Sequence, residues 1–437
     1  MSCHSNRTGS AHVSRRSFIK TTSLAATVGS LSVARSAHAA GDDVLRVGLI
    51  GCGGRGTGAA VNALAADPNT KITALADVFD ERLRISQAAL QKRDPARARV
   101  PDDHCFTGFD AYQKLIASGV DVVLQAEPPH FRPRHLQACI DAGKHVFCEK
   151  PMAVDAPGVR SLMASAAAAD RKGLSIVAGF CWRYHPAVQA TMQRVLDGAI
   201  GDVLCMQETY LTGGLWHRGR QPDDTEMMYQ MRNWYYFDWL NGDFINSQHC
   251  HSLDKASWAM RDRPPVRAWG LGGRQVRTEQ PKWGNIYDHH AVVYEYENGA
   301  RIFSYCRQQD GAWRDVADLF IGTKGQADIL KHRITGENEW RYDGPGGNMY
   351  ELELAALFQS IREGKPVNDG HWMAVSTMLG ILGRMASYTG LAITWDQAIK
   401  SRLLLAPKEY SWDADPPVMP DADGRYPVAM PGITPFV

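Results

Sequence analysis

The chain has 437 residues, 48 of them basic and 47 acidic, for a net charge of +1. That balance excludes the electrostatic footprint of a nucleic-acid-binding protein or of one held on an anionic membrane. The nine cysteines lie singly, without a C-x-x-C pair or a His/Cys cluster, which argues against a zinc centre or a disulfide framework.

The N-terminal residues carry an address. Ser14-Arg15-Arg16-Ser17-Phe18-Ile19-Lys20 is a twin-arginine signature, followed by an Ala/Ser/Thr/Val-rich run and the small-residue site Ala37-His38-Ala39. Residues 1–39 are therefore expected to be a signal peptide, read by the twin-arginine export machinery and removed. The expected location is periplasmic or otherwise exported, with the protein folded around its cofactor before export. No later apolar run is long enough to span a bilayer, so no membrane contact is expected after cleavage.

The first predicted strand, Arg46 to Ile50, runs into Gly51-Cys52-Gly53-Gly54-Arg55-Gly56, a G-x-G-x-x-G turn. The first glycine allows the tight turn, the second lets backbone approach a pyrophosphate, and the third lets the next helix pack on the strand. A second strand, Lys71 to Ala76, ends in Asp77, where an acid bonds ribose hydroxyls and repels a phosphate. NAD is thereby favoured over NADP.

Apolar strands then alternate with alanine-rich helices: Gly119 to Ala126, a helix around His135 to Ala142, His145 to Cys148, and Leu174 to Phe180. This predicts an α/β fold with a doubly wound parallel Rossmann sheet over residues 44–180. From residue 181 to 437 the texture becomes aromatic-rich and alternating. Ala291 to Tyr296 and Ala300 to Tyr305 are joined by the turn Glu297-Asn298-Gly299, which predicts an α+β domain with a large, mostly antiparallel sheet open on one face. The proline-rich stretch from Pro416 onward reads as a loose tail.

At the carboxyl end of the strand His145 to Cys148 stands Glu149-Lys150-Pro151. Together with the glycine turn, Asp77, Glu127-Pro128-Pro129-His130 with His135, Arg183-Tyr184 and His251-Ser252-Leu253-Asp254, this order of motifs resembles the glucose-fructose oxidoreductase and inositol dehydrogenase family, Gfo/Idh/MocA. The resemblance implies a tightly bound NAD held by Gly51, Gly53, Gly54, Arg55, Gly56, Asp77, Pro128, His130, His135, Glu149 and Lys150. It also implies that Lys150 contacts the reacting hydroxyl and that His251 accepts or donates the proton. These residue types suit the task, since oxidising an alcohol needs a base for the proton and a cation beside the developing alkoxide.

Many family members carry an acid four positions before the histidine, where this chain has Ser247, and His249 adds a second imidazole. No third ligand is fixed nearby, so no metal is expected. Arg183, Tyr184, Trp216, Arg232, Asn233, His249, Asp254, Asp288 and His289 are the candidate contacts to a carbohydrate, because flat rings cover sugar faces while polar groups bond hydroxyls. The expected function is exported, NAD-dependent oxidation or reduction of a sugar, sugar derivative or polyol, by a homodimer or homotetramer. The alternatives are an NAD-dependent glycosidase or epimerase working through transient oxidation, and a nucleotide-loaded sugar-binding protein without catalysis.

Overall fold

The computed structural model describes residues 44–278 and 282–437; the twin-arginine signature and its cleavage site lie outside the described residues. Six parallel strands form the first sheet: β1 (Leu45–Ile50), β2 (Thr70–Asp77), β3 (Cys105–Thr107), β4 (Val122–Gln125), β5 (His145–Cys148) and β6 (Ile176–Ala178), in the order β3-β2-β1-β4-β5-β6. Helices α1 (Gly54–Ala66), α2 (Asp80–Arg93), α3 (Ala111–Ala117), α4 (Arg132–Asp141) and α5 (Ala156–Lys172) make the crossovers. Val47, Leu49, Val122 and Leu124 are fully buried, as strands covered on both faces require. The strand order reverses between β1 and β4, so a crevice opens at the carboxyl ends of these strands.

The second half begins with α6 (Pro186–Leu196) and β7 (Val203–Thr212), followed by the short helices α7 (Glu226–Arg232), α8 (Asp238–Asn241) and α9 (Phe244–Ser247), then α10 (Cys250–Ala259). The remaining strands are β8 (Arg267–Gly273), β9 (His289–Glu295), β10 (Arg301–Gln308), β11 (Asp315–Gly322), β12 (Gly325–Asp328), β13 (Arg333–Gly336), β14 (Trp340–Arg341) and β15 (Ile393–Thr394). Helices α11 (Met349–Arg362) and α12 (Gly370–Thr389) lie between β14 and β15. The nine strands pair in the order β14-β13-β12-β11-β7-β10-β9-β8-β15, all antiparallel except β7 with β10. The expected β9–β10 hairpin forms with Ala291 opposite Tyr305.

The two halves are interleaved. Leu354, Leu357 and Phe358 of α11 join the core formed by α1 and the parallel sheet, so a late helix finishes the face of an early domain. Arg362 of the same helix pairs with Asp67 at 2.6 Å. The stretch after Pro416 is not loose: residues 401–437 contain no helix or strand, yet Tyr426 is buried and the backbone is anchored to both halves.

Arg183 and Tyr184, expected on a substrate, serve the core instead. The Arg183 guanidinium is buried between Trp258 and Trp372 and pairs with Asp254 at 2.9 Å and Asp262 at 2.6 Å. The Tyr184 hydroxyl donates to Asp369. Asp254 also accepts from Ser376 at 2.7 Å, so it too is a structural anion rather than a sugar contact. Removing one partner of such a buried pair strands the other charge away from water. Asp254→Ala is therefore expected to lose about 3–5 kcal/mol of folding stability, measured by urea denaturation; a loss below about 1 kcal/mol would contradict this assignment.

Candidate active site

The glycine turn is shaped by close approach. Gly51 has φ of +91°, and a Cβ there would lie 2.5 Å from the Glu127 nitrogen. A Cβ on Gly56 would lie 1.8 Å from the Gly51 carbonyl oxygen, so only glycine lets α1 approach β1. Gly53 and Gly54 face open space, with no atom within 4 Å of an added Cβ. Helix α1 starts without a side-chain cap or an acid in its first turn, leaving its N–H groups available to an anion.

Asp77 closes the other side of this cradle. Its carboxylate accepts from the Cys52 nitrogen at 2.7 Å and the Phe79 nitrogen at 2.9 Å, which holds it at the strand end. The donor set fits NAD: free helix N–H groups for the pyrophosphate, an acid for the ribose, and no side chain in the phosphate path. A cavity of about 410 Å³ runs along the crevice, lined by Gly51, Gly53, Gly54, Arg55, Gly56, Asp77, Pro128 and His135. His135 is held by Glu127 at 2.9 Å and stacks on Tyr112.

Three expectations about this end need correcting. His130 does not line the cavity; its Nε2 bonds the Tyr410 hydroxyl at 2.8 Å beneath Trp239, and burial pushes its pKa down to about 3. Glu149 reaches the cavity only through Arg55, which pairs with it and with Glu353 of α11 at 3.2 Å. Trp216, expected on a sugar, lines the nucleotide cavity beside Arg218, Met231 and Trp234.

Arg232 and Asn233 support this wall from behind. Arg232 pairs with Asp224 at 3.0 Å and Glu81 at 2.5 Å, tying α7 to the start of α2. The buried Asn233 side chain accepts from the Arg218 nitrogen at 2.8 Å and donates to the Arg218 carbonyl at 2.9 Å. Both side chains are thus occupied, and a substrate role does not fit them.

Lys150 and His251, the expected reactive pair, lie outside the cavity lining. Lys150 follows β5, and its Nζ donates to the Ser247 carbonyl at 2.7 Å. At the position where many members of the resembled family carry an acid, this chain presents a backbone oxygen, and the Ser247 hydroxyl is buried without a partner among the described residues. His251 stands edge-on to Phe180, and its Nδ1 likewise has no partner among the described residues. Burial, reinforced by Lys150, Lys255 and Arg55, holds its pKa well below the ordinary value, so the imidazole is neutral and able to accept a proton. Asp254, one turn later, is consumed by Arg183 and does not satisfy His251.

His249, Asp288 and His289 are taken up elsewhere. His249 points into the large sheet, where Nε2 meets the Ser304 hydroxyl at 2.7 Å and burial lowers its pKa to about 3. Asp288 accepts three backbone N–H groups, from Gln275, Val276 and Arg277, and bonds the His289 ring at 2.8 Å; these bonds hold its carboxyl far below the usual range. It organises the chain between β8 and β9.

Sequence reasoning missed the residues that fill these places. Gln308, at the end of β10, donates to both the Tyr235 hydroxyl and the Gln248 side chain at 2.7 Å, next to Ser247. Lys255 donates to the His251 carbonyl at 2.7 Å and pairs with Asp318 at 3.1 Å, supporting the His251 turn from inside the domain. The spacing of Lys255 four residues after His251 was a readable signal; nothing local marked Gln308.

His130 and His249 both have folded pKa values of about 3, below the unfolded value of about 6.5. The unfolded chain therefore binds more protons between these limits, and their stabilising contribution is complete above about pH 6.5 and lost as pH falls. The urea midpoint is expected to drop between about pH 7 and about pH 5, with a shallower drop in a His249→Asn variant; equal slopes in both proteins would contradict the burial assigned to His249.

Comparisons with known proteins point to the same fold. The chain is 31% identical over 159 residues to inositol 2-dehydrogenase 1 of Saccharopolyspora erythraea, across 36% of this chain and 43% of that protein. It is 28% identical over 276 residues to inositol 2-dehydrogenase of Rubrobacter xylanophilus, across 59% of this chain and 68% of that one. The crystal structure of the WlbA dehydrogenase from Bordetella pertussis in complex with NADH and UDP-GlcNAcA shares the fold with a TM-score of 0.60 at 19% identity, over 80% of this chain and 98% of that one. Residues 45–180 match the Gfo/Idh/MocA oxidoreductase family over its NAD-binding Rossmann fold.

Proposed function

We propose that this chain is an exported oxidoreductase that oxidises a CH–OH group of a sugar, sugar derivative or polyol, using NAD held in the β1–α1 crevice. The observation that carries this reading is the neutral His251 beside Lys150. When bound, the nicotinamide supplies the hydride acceptor. Lys150 places its ammonium against the reacting oxygen and offsets the negative charge that grows there. His251 takes the hydroxyl proton, and its buried, cation-flanked ring keeps it in the basic form. The Ser247 carbonyl fixes the direction of the Lys150 side chain. Export rests on the twin-arginine signature alone; outside the cytoplasm little free nicotinamide is available, which favours redox-neutral turnover on a retained cofactor.

Lys150→Ala is expected to lower kcat by about 10³-fold and His251→Asn by about 10²–10⁴-fold, read as the rate of nicotinamide reduction on adding inositols and aldoses. A Lys150→Ala variant that reduces the cofactor at the wild-type rate would sink the mechanism.

The large sheet supports an oligomer. Its open face carries the cross-strand rows Leu271–Ala291–Tyr305 and Trp269–Val293–Phe303, and Leu271, Trp269 and Tyr305 are 65%, 44% and 41% exposed. Contiguous apolar rows of this kind mark a surface that is covered in assembly. A Leu271→Lys, Tyr305→Glu double variant is expected to shift a dimer or tetramer to monomer in light scattering; a monomeric wild-type protein at micromolar concentration would end this reading.

A further inference from the structure

Residues 401–437 thread across the molecule without a helix or strand, yet they touch both walls of the nucleotide cavity. On the Rossmann side, the Leu405 nitrogen donates to Asp155 at 2.9 Å, and the Tyr410 hydroxyl meets His130 at 2.8 Å. Trp412 then packs on Phe109 and Phe79, with ring centroids 4.8 and 5.1 Å away, and both phenylalanines line the cavity.

On the other side the same segment holds α7. Thr225, the N-cap of α7, donates its hydroxyl to the Trp412 carbonyl at 2.5 Å. Gln230 donates to the Val418 carbonyl at 2.6 Å, and the Tyr426 hydroxyl bonds Glu226. Helix α7 in turn supplies Met231 to the cavity and, through Asn233, fixes the Arg218 backbone. One residue, Trp412, therefore uses its ring on one wall and its carbonyl on the opposite one.

We propose that the C-terminal segment is an intramolecular clamp on the nucleotide cavity, with Trp412 as its positioning residue. The inference rests on the reading that NAD occupies this cavity. A dinucleotide lying between the Phe79–Phe109 wall and α7 leaves only when the walls part, and parting them requires the segment to lift. A strand-free segment held by side chains opens locally without unfolding the core, so it acts on the rate of release rather than on the fold. Because it belongs to the same chain, it recloses as an intramolecular event at high effective concentration. The clamp makes NAD behave as a resident group, which a redox-neutral enzyme needs.

The experiment loads the full-length mature protein with NAD, dilutes it, and follows release over time. Trp412→Ala is expected to release NAD about tenfold faster, with Trp412→Phe restored to near the wild-type rate because an aromatic still spans the walls. Equal release from Trp412→Ala and wild type overturns the clamp, as does faster release that Trp412→Phe fails to restore. A wild-type protein that binds no NAD overturns the reading of the cavity together with the clamp. Should Trp412→Ala fail to fold, limited proteolysis of the wild-type protein decides the matter. Coupling is reciprocal, so bound NAD must slow cleavage within residues 402–425, and equal cleavage with and without NAD overturns the proposal.

Discussion

The structure depends on the contact between Gly51 and Gly56. A single methyl on Gly56 would sit 1.8 Å from the Gly51 carbonyl, so α1 can lie against β1 only because Gly56 lacks a side chain, while Gly51 with its φ of +91° lets the chain after β4 approach to where a Cβ would lie 2.5 Å from the Glu127 nitrogen. That closeness aims the bare N-terminus of α1 at the crevice, and it sets the line along which a dinucleotide must lie. It also places Arg55 where it can meet Glu149 and Glu353. From one steric constraint follow the phosphate site, the docking of α11 and the position of Arg55 beside Glu149.

Buried charge is handled by pairing at each level of the second half. Arg183 is closed off by Asp254, Asp262 and two tryptophans, and Lys255 by Asp318 and the His251 carbonyl. Burial, together with the neighbouring Asp318, holds the Glu208 carboxyl well above its usual range and so protonated, while Lys255 keeps Asp318 ionised against its own burial. These groups lie beneath α10 and give the His251 turn a rigid seat. Lys150 is held by a backbone carbonyl rather than by a carboxylate, and a cation so placed suits an alkoxide in the proposed reaction.

The aromatic and polar residues of the second half show how one composition serves two ends. Trp216 and Trp234 line the nucleotide cavity, whereas Trp258 and Trp372 sandwich Arg183. A tryptophan in a sequence carries the same signal in either place, because a sugar face and a core both reward a large flat ring. Asp288 and His289, adjacent and polar, read as hydroxyl contacts, yet three backbone N–H groups converge on Asp288 and make it the knot of a turn. The tail after Pro416 misled for a related reason: proline and the absence of periodicity report missing ladders, and side-chain anchors to distant elements leave no local trace.

What the amino-acid order determined by itself was the nucleotide half: the strand, the glycine turn, Asp77 and the alternation that follows are local patterns, and local sterics and hydrogen bonding oblige them to fold as they read. Lys150 and His251 stood out in the sequence through the resemblance to the Gfo/Idh/MocA motifs, because a lysine after a strand end and a histidine opening a helix are by themselves ordinary. Tertiary structure decided the partners. It turned His249 into the sheet, closed Arg183 and Asp254 on each other, brought Gln308 to Tyr235 and Gln248, and laid Trp412 across the cavity. Each of these joins residues from tens to hundreds of positions apart, and only the packing of two sheets and their helices into one body sets which of them meet.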